Sequence, residues 1–378
     1  MKNFDVFDEG VTLVSWSNAS LFVDDDKRLT GGSERQMRYI ADALIYEGIP
    51  VQILTSNVVS KVRCSNSGFS LESVWSNQEF KLIRIASVIR AICMSNRFIY
   101  IRGLSKANML VSFLGRIFGK KITVGMTSDL QCINSQNLWT NIIRKLQLYF
   151  AHSILTQTHQ QRQMLIEHFS CDSKVVFNVI NPLRIGGTDQ SLDFENRDID
   201  VIWIGNFDPR KSMDIYLSMS ESLIDLNFGV IGDIHPDHIK YGEIITKKIH
   251  ESGNIINFGY VAPDQIGKYL SRSKILVSTS QPSEGGVSKE GFPNVFLEAW
   301  SLGIPVVSLH SNPSGLLDSN EIGVLCSDKD DAMQIIEELH RDNDRWHQMA
   351  LKSQEFSLKR DVTNSDTRKR VINEIFLE

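Results

Sequence analysis

Apolar positions along this chain fall into short runs of strand length, separated by stretches with helical period. Val11 to Trp16 is one such run. After a polar loop, Gly31-Gly32-Ser33-Glu34 leads into a segment where Met37, Ile40, Ala41 and Leu44 recur on one helical face. Ser33 and Gln36 have the spacing of a capping box, Gly48 ends the helix, and Val51 to Leu54 makes the next strand. Further strands are expected at Phe98–Ile101, Lys121–Val124, Ser153–Thr156 and Lys174–Val179, with helices between several of them. The pattern then restarts with a strand at Asp200–Ile204 and a helix from about Met213. Later strands fit Phe228–Ile231, Ile255–Phe258, Ile275–Thr279 and Pro305–Leu309, and helices fit Ala332–Leu339 and Thr367–Phe376. Such alternation predicts α/β architecture with parallel strands joined by crossover helices, in two doubly wound domains.

Residues 182–200 are polar, contain two glycines and lack periodicity, so they read as a linker. The expected division is 1–181 for a first Rossmann-like domain, 182–200 for the linker and 201–360 for a second domain. A C-terminal helix, 361–378, is expected to pack back on the first domain. At 378 residues the chain is long enough for two cores.

A hydrophobic content of 42% with 22% charged residues is that of a soluble globular protein. No apolar run is long enough to span a bilayer, and the acidic start MKNFDVFDEG does not read as a signal peptide. Cys64, Cys93, Cys132, Cys171 and Cys326 are odd in number and far apart, which suits a reducing cytosol and offers no zinc spacing. The net charge of −5 hides an asymmetry. Residues 1–180 hold 20 Lys and Arg against 14 Asp and Glu, a net +6 that leaves −11 for the remainder. Within that half, Phe80 to Ser128 holds nine basic residues and no acidic one. Such a run attracts a membrane surface, a phosphorylated acceptor or nucleic acid. The interleaved Leu82, Ile85, Ile89 and Ile92 favour an interfacial or core-facing helix over a nucleic-acid stripe, with a solvated basic face as the alternative.

The most informative segment is EGFPNVFLEAWSLGIPVV, Glu290 to Val307. Pro293 fits a first helical turn, and Gly303 with Pro305 fits the stop. The turn aims backbone N–H groups of Asn294 and Val295 forward, which suits a phosphate. Glu298 lies one helical turn beyond Asn294, where a carboxylate can accept hydrogen bonds from sugar hydroxyls. This spacing resembles the paired-glutamate motif of the retaining nucleotide-sugar glycosyltransferases of glycosyltransferase family 4. Other pieces in the same order carry the resemblance over nearly the whole chain: GGSERQMRYIADALIYEGIPVQILTS, AHSILTQTHQQRQMLIEHF with VFNVINPL, VIWIGNFDPRKSMDIYL, and NIINFGYVAPDQIGKYLSRSKILVSTS.

The resemblance implies a GT-B fold, two Rossmann-like domains facing a central cleft, with the acceptor on the first and a nucleotide-sugar donor on the second. It implies that Glu290 contacts the transferred sugar beside the turn Gly291-Phe292-Pro293. Asn294, Val295 and Glu298 then hold the donor, and Tyr260 and Val261 line the nucleobase pocket. In the loop Gly205 to Lys211, Lys211 matches the family's phosphate-binding lysine, whereas Asn206 stands at its arginine position and brings no charge. Arg210 is the nearest substitute. Many members carry a histidine after the fourth strand of the first domain; here Arg102 stands in its place, and it stabilises negative charge without exchanging protons. Asp129 is the nearest acid or base. Gly31-Gly32 fit a close backbone approach to phosphate or acceptor, or a plain tight turn.

The function implied is a retaining, metal-independent transfer of a sugar from a nucleotide diphosphate to a glycan or lipid-linked acceptor, in bacterial surface-polysaccharide synthesis. No cofactor is implied beyond the nucleotide-sugar co-substrate. Asp24-Asp25-Asp26 and Asp198-Ile199-Asp200 read as solvated loop acids, not as a metal site. The expected location is cytoplasmic, peripheral at an anionic inner membrane face through residues 80–121. Two other readings stay open: a catalytically impaired binding or scaffold subunit, kept alive by Asn206 and Arg102, and a sugar-nucleotide epimerase of the same shape.

Overall fold

The computed structural model describes residues 4–7, 9–16, 31–57, 68–186, 192–282 and 290–377. Asp24-Asp25-Asp26, Cys64 and part of the expected linker, 187–191, lie outside the described residues. The chain divides into two compact units. The first comprises Met1–Val179, Glu290–Phe292 and Val362–Glu378, and the second Ile180–Lys289 and Pro293–Asp361.

The first unit runs β1 (Val11–Val14), α1 (Gly32–Tyr46), β2 (Val51–Ser56), β3 (Phe69–Trp75), α2 (Lys81–Cys93), β4 (Phe98–Arg102), α3 (Lys106–Ile117), β5 (Lys121–Gly125), α4 (Leu138–Phe150), β6 (Ser153–Thr156), α5 (His159–Phe169) and β7 (Lys174–Val175). Its strands form one parallel sheet in the order β3-β2-β1-β4-β5-β6-β7. Val11 pairs with Val51 on one side and Phe98 on the other, so the strand order reverses at β1. Central strands are mostly apolar and buried along nearly their whole length because helices cover both faces. The C-terminal helix Ser365–Phe376 belongs to this unit and buries Val371, Ile372, Ile375 and Phe376 in its core. Phe376 packs edge-on against Phe7 and Phe98, with centroids 5.9 and 6.4 Å apart. Arg368 Nε donates to Glu47 at 2.8 Å.

The second unit runs β8 (Ile199–Ile204), α6 (Met213–Ser222), β9 (Phe228–Ile231), α7 (Ile239–Glu251), β10 (Ile255–Asn257), α8 (Ile266–Leu270), β11 (Ser273–Ser278), α9 (Asn294–Ser301), β12 (Val306–Ser308), α10 (Leu316–Ser319), β13 (Gly323–Leu325), α11 (Lys329–Arg341) and α12 (Asn343–Leu358). Its sheet is also wholly parallel, in the order β10-β9-β8-β11-β12-β13, and reverses between β8 and β11. Buried Tyr216 fixes α6 to the sheet, its hydroxyl lying 3.0 Å from the Val201 carbonyl and 2.8 Å from that of Gly229.

Several expectations are corrected. Ser33 and Gln36 make no capping box, because α1 begins at Gly32 with Gly31 as its N-cap and no side-chain cap bond. Gln36 turns into the core and acts as a backbone surrogate: its Nε2 donates to Val179 O at 2.7 Å and its Oε1 accepts from Val179 N at 2.9 Å. The strand expected over Lys174–Val179 stops at Val175, and the Val179 backbone pairs with the Gln36 side chain instead of a neighbouring strand. Edge strands β3 and β13 and the helix α12 were not anticipated. Within the stretch read as linker, Phe194 and Arg197 are buried in the second unit, where Arg197 donates to the carbonyls of Ser273 and Leu302 at 2.6 and 2.8 Å.

Candidate functional site

In doubly wound sheets, ligands bind beyond the carboxyl ends of the strands where the order reverses. In the second unit those ends belong to β8 and β11. Gly205 follows β8, and its N–H donates to Ile231 O at 3.0 Å. A Cβ at Gly232 would come 2.1 Å from the Gly205 carbonyl oxygen, so glycine is required where the ends of β8 and β9 meet. Phe207 is buried and its N–H reaches Asp233 O at 2.8 Å. These bonds fix the loop that carries Asn206, Arg210 and Lys211. Thr279, just beyond β11, donates from its hydroxyl to Lys211 O at 2.6 Å and accepts from Trp203 Nε1 at 3.1 Å. Gln281 N donates to Arg210 O at 2.7 Å. The loops after β8 and β11 are thus tied together, and Lys211 sits half-buried between an aromatic core and the surface.

Asn206 is exposed. Arg210 pairs with Asp208 through both Nε, at 2.9 Å, and Nη2. Burial pushes the Asp208 carboxyl upward, but hydrogen bonds from the Arg210 side chain and backbone overcome it and hold the group at about 2. The Arg210 charge is therefore partly spent on Asp208, which competes with the phosphate role read from the sequence.

Helix α9 begins at Asn294, and Pro293 is its N-cap with φ −64° and ψ 120°, one position earlier than expected. Asn294 and Val295 are the first two helical residues, whose N–H groups point out of the helix end. Phe296, Leu297, Ala299 and Trp300 are buried, as is Glu298 at 1% exposure. A carboxylate so deep in an apolar helix needs a reason other than solubility. Gly303 closes the helix in the left-handed region, φ +65°, and a Cβ there would come 2.3 Å from Leu192. Tyr260 and Val261 follow β10, two strands from β8, and are reached through a Gly232 N–H bond to Gly259 O at 3.0 Å.

The first unit holds the other candidates. Arg102 ends β4; its Nε is buried with no hydrogen-bond partner among the described residues. Arg102, Gln157, Asn178, Tyr100 and Gln36 line one small cavity. Asp129 follows β5, the neighbouring strand, and is buried. Desolvation raises its carboxyl to about 6, against a smaller opposing effect of its Gln161 hydrogen bond. Gly31 is exposed with φ −76°, so no special backbone conformation requires glycine there; Gly32 opens α1.

The Glu290-Gly291-Phe292 turn belongs to this first unit and is clamped by amides that the sequence did not single out. Asp129 Oδ1 accepts from Gln161 Nε2 at 3.0 Å, and Gln161 Oε1 accepts from Gln157 N at 2.8 Å. Gln157 Oε1 then accepts from Phe292 N at 3.2 Å. Gln157 Nε2 donates to Asn178 Oδ1 at 3.1 Å, and Asn178 Nδ2 donates to Phe292 O at 3.1 Å. Both polar groups of the Phe292 backbone are therefore held by side chains. A Cβ at Gly291 would lie 2.0 Å from Gln161 Nε2 and 2.5 Å from Gln157 Oε1. Only the missing side chain lets the turn rest on this network, which fixes the backbone two residues after Glu290.

Of the acids read from the sequence as solvated loop groups, Asp198 fits in pairing with Arg272 near the surface, but Asp200 does not: it is buried in β8, where Lys274 compensates its charge at 2.8 Å. Among the described residues no group of three or more His, Cys, Asp or Glu is arranged to hold a metal ion.

Two wholly parallel, doubly wound α/β units in one chain define a protein of the GT-B fold class. Residues 198–342 match the model of the family described as Glycosyl transferases group 1. The structure is similar to that of HepE from Anabaena in complex with UDP and glucose, with a TM-score of 0.73 and 16% identity over 96% of this chain and 98% of that one. It is also similar to sucrose-phosphate synthase from Thermosynechococcus elongatus, with a TM-score of 0.72 and 15% identity over 96% of each chain. A glycosyltransferase from Rickettsia africae gives 0.73 and 15% over 97% of each chain. No curated protein matches the sequence. At these identities the structural likeness establishes the fold.

Proposed function

We propose that this chain is a retaining, metal-independent glycosyltransferase that moves a sugar from a nucleotide diphosphate to a glycan or lipid-linked acceptor. The observation that carries the reading is the pair Glu290 and Glu298. The first lies in the turn whose Phe292 backbone is held by the amide clamp, and the second is buried one turn into α9. Both lie within the segment that matches the family model. UDP in the HepE complex supports a uridine nucleotide as the first donor to test. Lys211 and the α9 N-terminus supply a cation and N–H donors for a diphosphate. Asn206 contributes hydrogen bonds without charge.

In the reaction, the bond between the anomeric carbon and the diphosphate oxygen breaks. The acceptor oxygen bonds to the same face of that carbon, and its proton passes to the leaving phosphate. Such chemistry needs orientation and charge stabilisation more than a strong protein base. Glu290 orients the sugar, Arg102 offsets negative charge, and Asp129 anchors the clamp. No step calls on a metal. The product belongs to bacterial surface-polysaccharide synthesis, made in the cytoplasm at an anionic inner membrane face that the basic residues of 80–121 attract. Glu290→Ala should abolish transfer while leaving nucleotide binding, and full activity in that variant would overturn the reading. Asn206 favours one rival, a binding subunit, for which calorimetry would show nucleotide-sugar binding without turnover over a broad acceptor panel.

A further inference from the structure

Helices α2, α3 and α4 expose apolar side chains where a helix covering a sheet should show polar ones. On α4, Trp139, Ile142, Leu146 and Tyr149 recur at i, i+3, i+7 and i+10, and all four are exposed, Trp139 to 72% and Tyr149 to 78%. Its buried positions are instead Gln147 and Leu148. On α2 only Val88, Ala91 and Ile92 are buried, while Leu82, Ile85 and Ile89 face out and Phe80 and Leu82 are each 81% exposed. On α3, Phe113 and Ile117 are exposed. Helix α3 packs against both neighbours, and its Phe113 ring meets Phe150 of α4 at 5.2 Å. The outward residues therefore form one continuous face and not scattered exceptions.

The charge on this face points to what covers it. Residues 80–150 hold eleven Lys and Arg and a single acid, Asp129, which is buried. Exposed Lys81, Arg116 and Lys145 stand directly beside Leu82, Ile117 and Leu146, one pair on each helix. A second copy docking through a two-fold contact would set cations against cations. An anionic bilayer meets both features, because its headgroups attract the cations and its interfacial layer accepts apolar and aromatic side chains. No described helix is long and apolar enough to cross a membrane, so the contact is one of lying on the surface. We infer that the α2–α3–α4 face seats this unit on an anionic lipid bilayer, with Trp139 and Tyr149 entering the interfacial layer. This deepens the membrane location proposed above, adds α4 to the basic stretch, and rests on this unit's surface and not on the transfer chemistry.

The test is cosedimentation of the full chain with vesicles of phosphatidylcholine alone or mixed with phosphatidylglycerol, at low and high salt. Three proteins are compared: wild type, Trp139→Ser with Tyr149→Ser, and Lys81→Gln with Arg116→Gln and Lys145→Gln. Wild type should bind the anionic vesicles only. The charge variant should bind them roughly a hundredfold more weakly, at about fivefold per cation removed. The aromatic variant should lose the part of binding that survives high salt. Unchanged melting temperatures confirm that both variants fold. Equal wild-type binding to both vesicle types, no binding to either, or wild-type binding by both variants would overturn the inference. So would a dimer in sedimentation velocity that the aromatic substitutions disperse. Vesicle binding is read without any sugar donor, so its failure is distinct from a failure of the transferase reading.

Discussion

Replacing Gly291 by alanine adds one methyl group where the first unit has no room for it. The new Cβ would lie 2.0 Å from Gln161 Nε2 and 2.5 Å from Gln157 Oε1. Neither amide is the loose end of a surface side chain. Gln161 is fully buried and held between Asp129 and Gln157, and Gln157 is held by Phe292 N and Asn178. Relief therefore requires breaking part of the clamp or lifting the turn. Overpacking alone costs about 1–3 kcal/mol. Each buried polar group left without its bond adds about 1–3 kcal/mol. If the turn lifts instead, Glu290 moves with it, and a 1 Å misplacement in an active site lowers the rate roughly a hundredfold. The assay is kcat and KM for transfer, alongside calorimetry with the nucleotide diphosphate and hydrogen exchange at the Phe292 amide. Gly291→Ala should lower kcat by about two orders of magnitude, with faster Phe292 exchange and nucleotide affinity within a few-fold of wild type. Gln161→Glu should act similarly, because it sets a carboxylate against Asp129, whereas Asp129→Asn keeps an acceptor and should be mild. Wild-type kcat and wild-type Phe292 protection in Gly291→Ala would refute the argument that this clamp positions Glu290.

Other expectations follow from single features. Glu298→Ala should weaken donor binding more than it slows the bound complex, read as a rise in KM larger than the fall in kcat. Lys211→Ala should lower nucleotide-diphosphate affinity by about tenfold or more, since a charge-assisted hydrogen bond is worth about 1.5–3 kcal/mol, and calorimetry measures it directly. Asp129 titrates at about 6 when folded against 3.8 unfolded, so the folded state binds its proton more tightly. Its contribution to stability is full below pH 3.8 and is lost as pH rises through 6, by up to about 3 kcal/mol. Asp129→Asn should therefore flatten that part of the melting-temperature profile and raise stability at pH 7; an unchanged profile would refute the assignment.

The parallel strands and most helices were legible because buried strands with both faces covered read as continuous apolar runs, as in Val201 to Ile204. What escaped was set by tertiary context. Strand β3, FSLESVW, lies at the sheet edge and alternates weakly, and β13 has only three residues. Gln36 matched a local capping pattern, yet the buried polar backbone of Val179 claimed it for the core. In the candidate site, the helix start beside Pro293 could be read because local backbone chemistry dictates it, whereas Glu290, Glu298 and Lys211 were singled out through the family resemblance. Gln157, Gln161 and Asn178 could not be read. Glutamine at the start of a helix ordinarily faces water, and nothing in TQTHQQRQ shows that two of its amides meet a turn more than a hundred residues away. Arg210 looked available as a phosphate ligand because sequence spacing does not show that its guanidinium closes on Asp208.

The central claim is transfer with retention from a nucleotide-sugar, dependent on Glu290. The most direct measurement is proton NMR of the product made from a uridine diphosphate α-sugar and an acceptor panel, with a metal chelator present. The account predicts an α-configured glycoside from the wild-type chain and none from Glu290→Ala. A β-configured product, a strict need for divalent metal, or an undiminished yield from Glu290→Ala would contradict it.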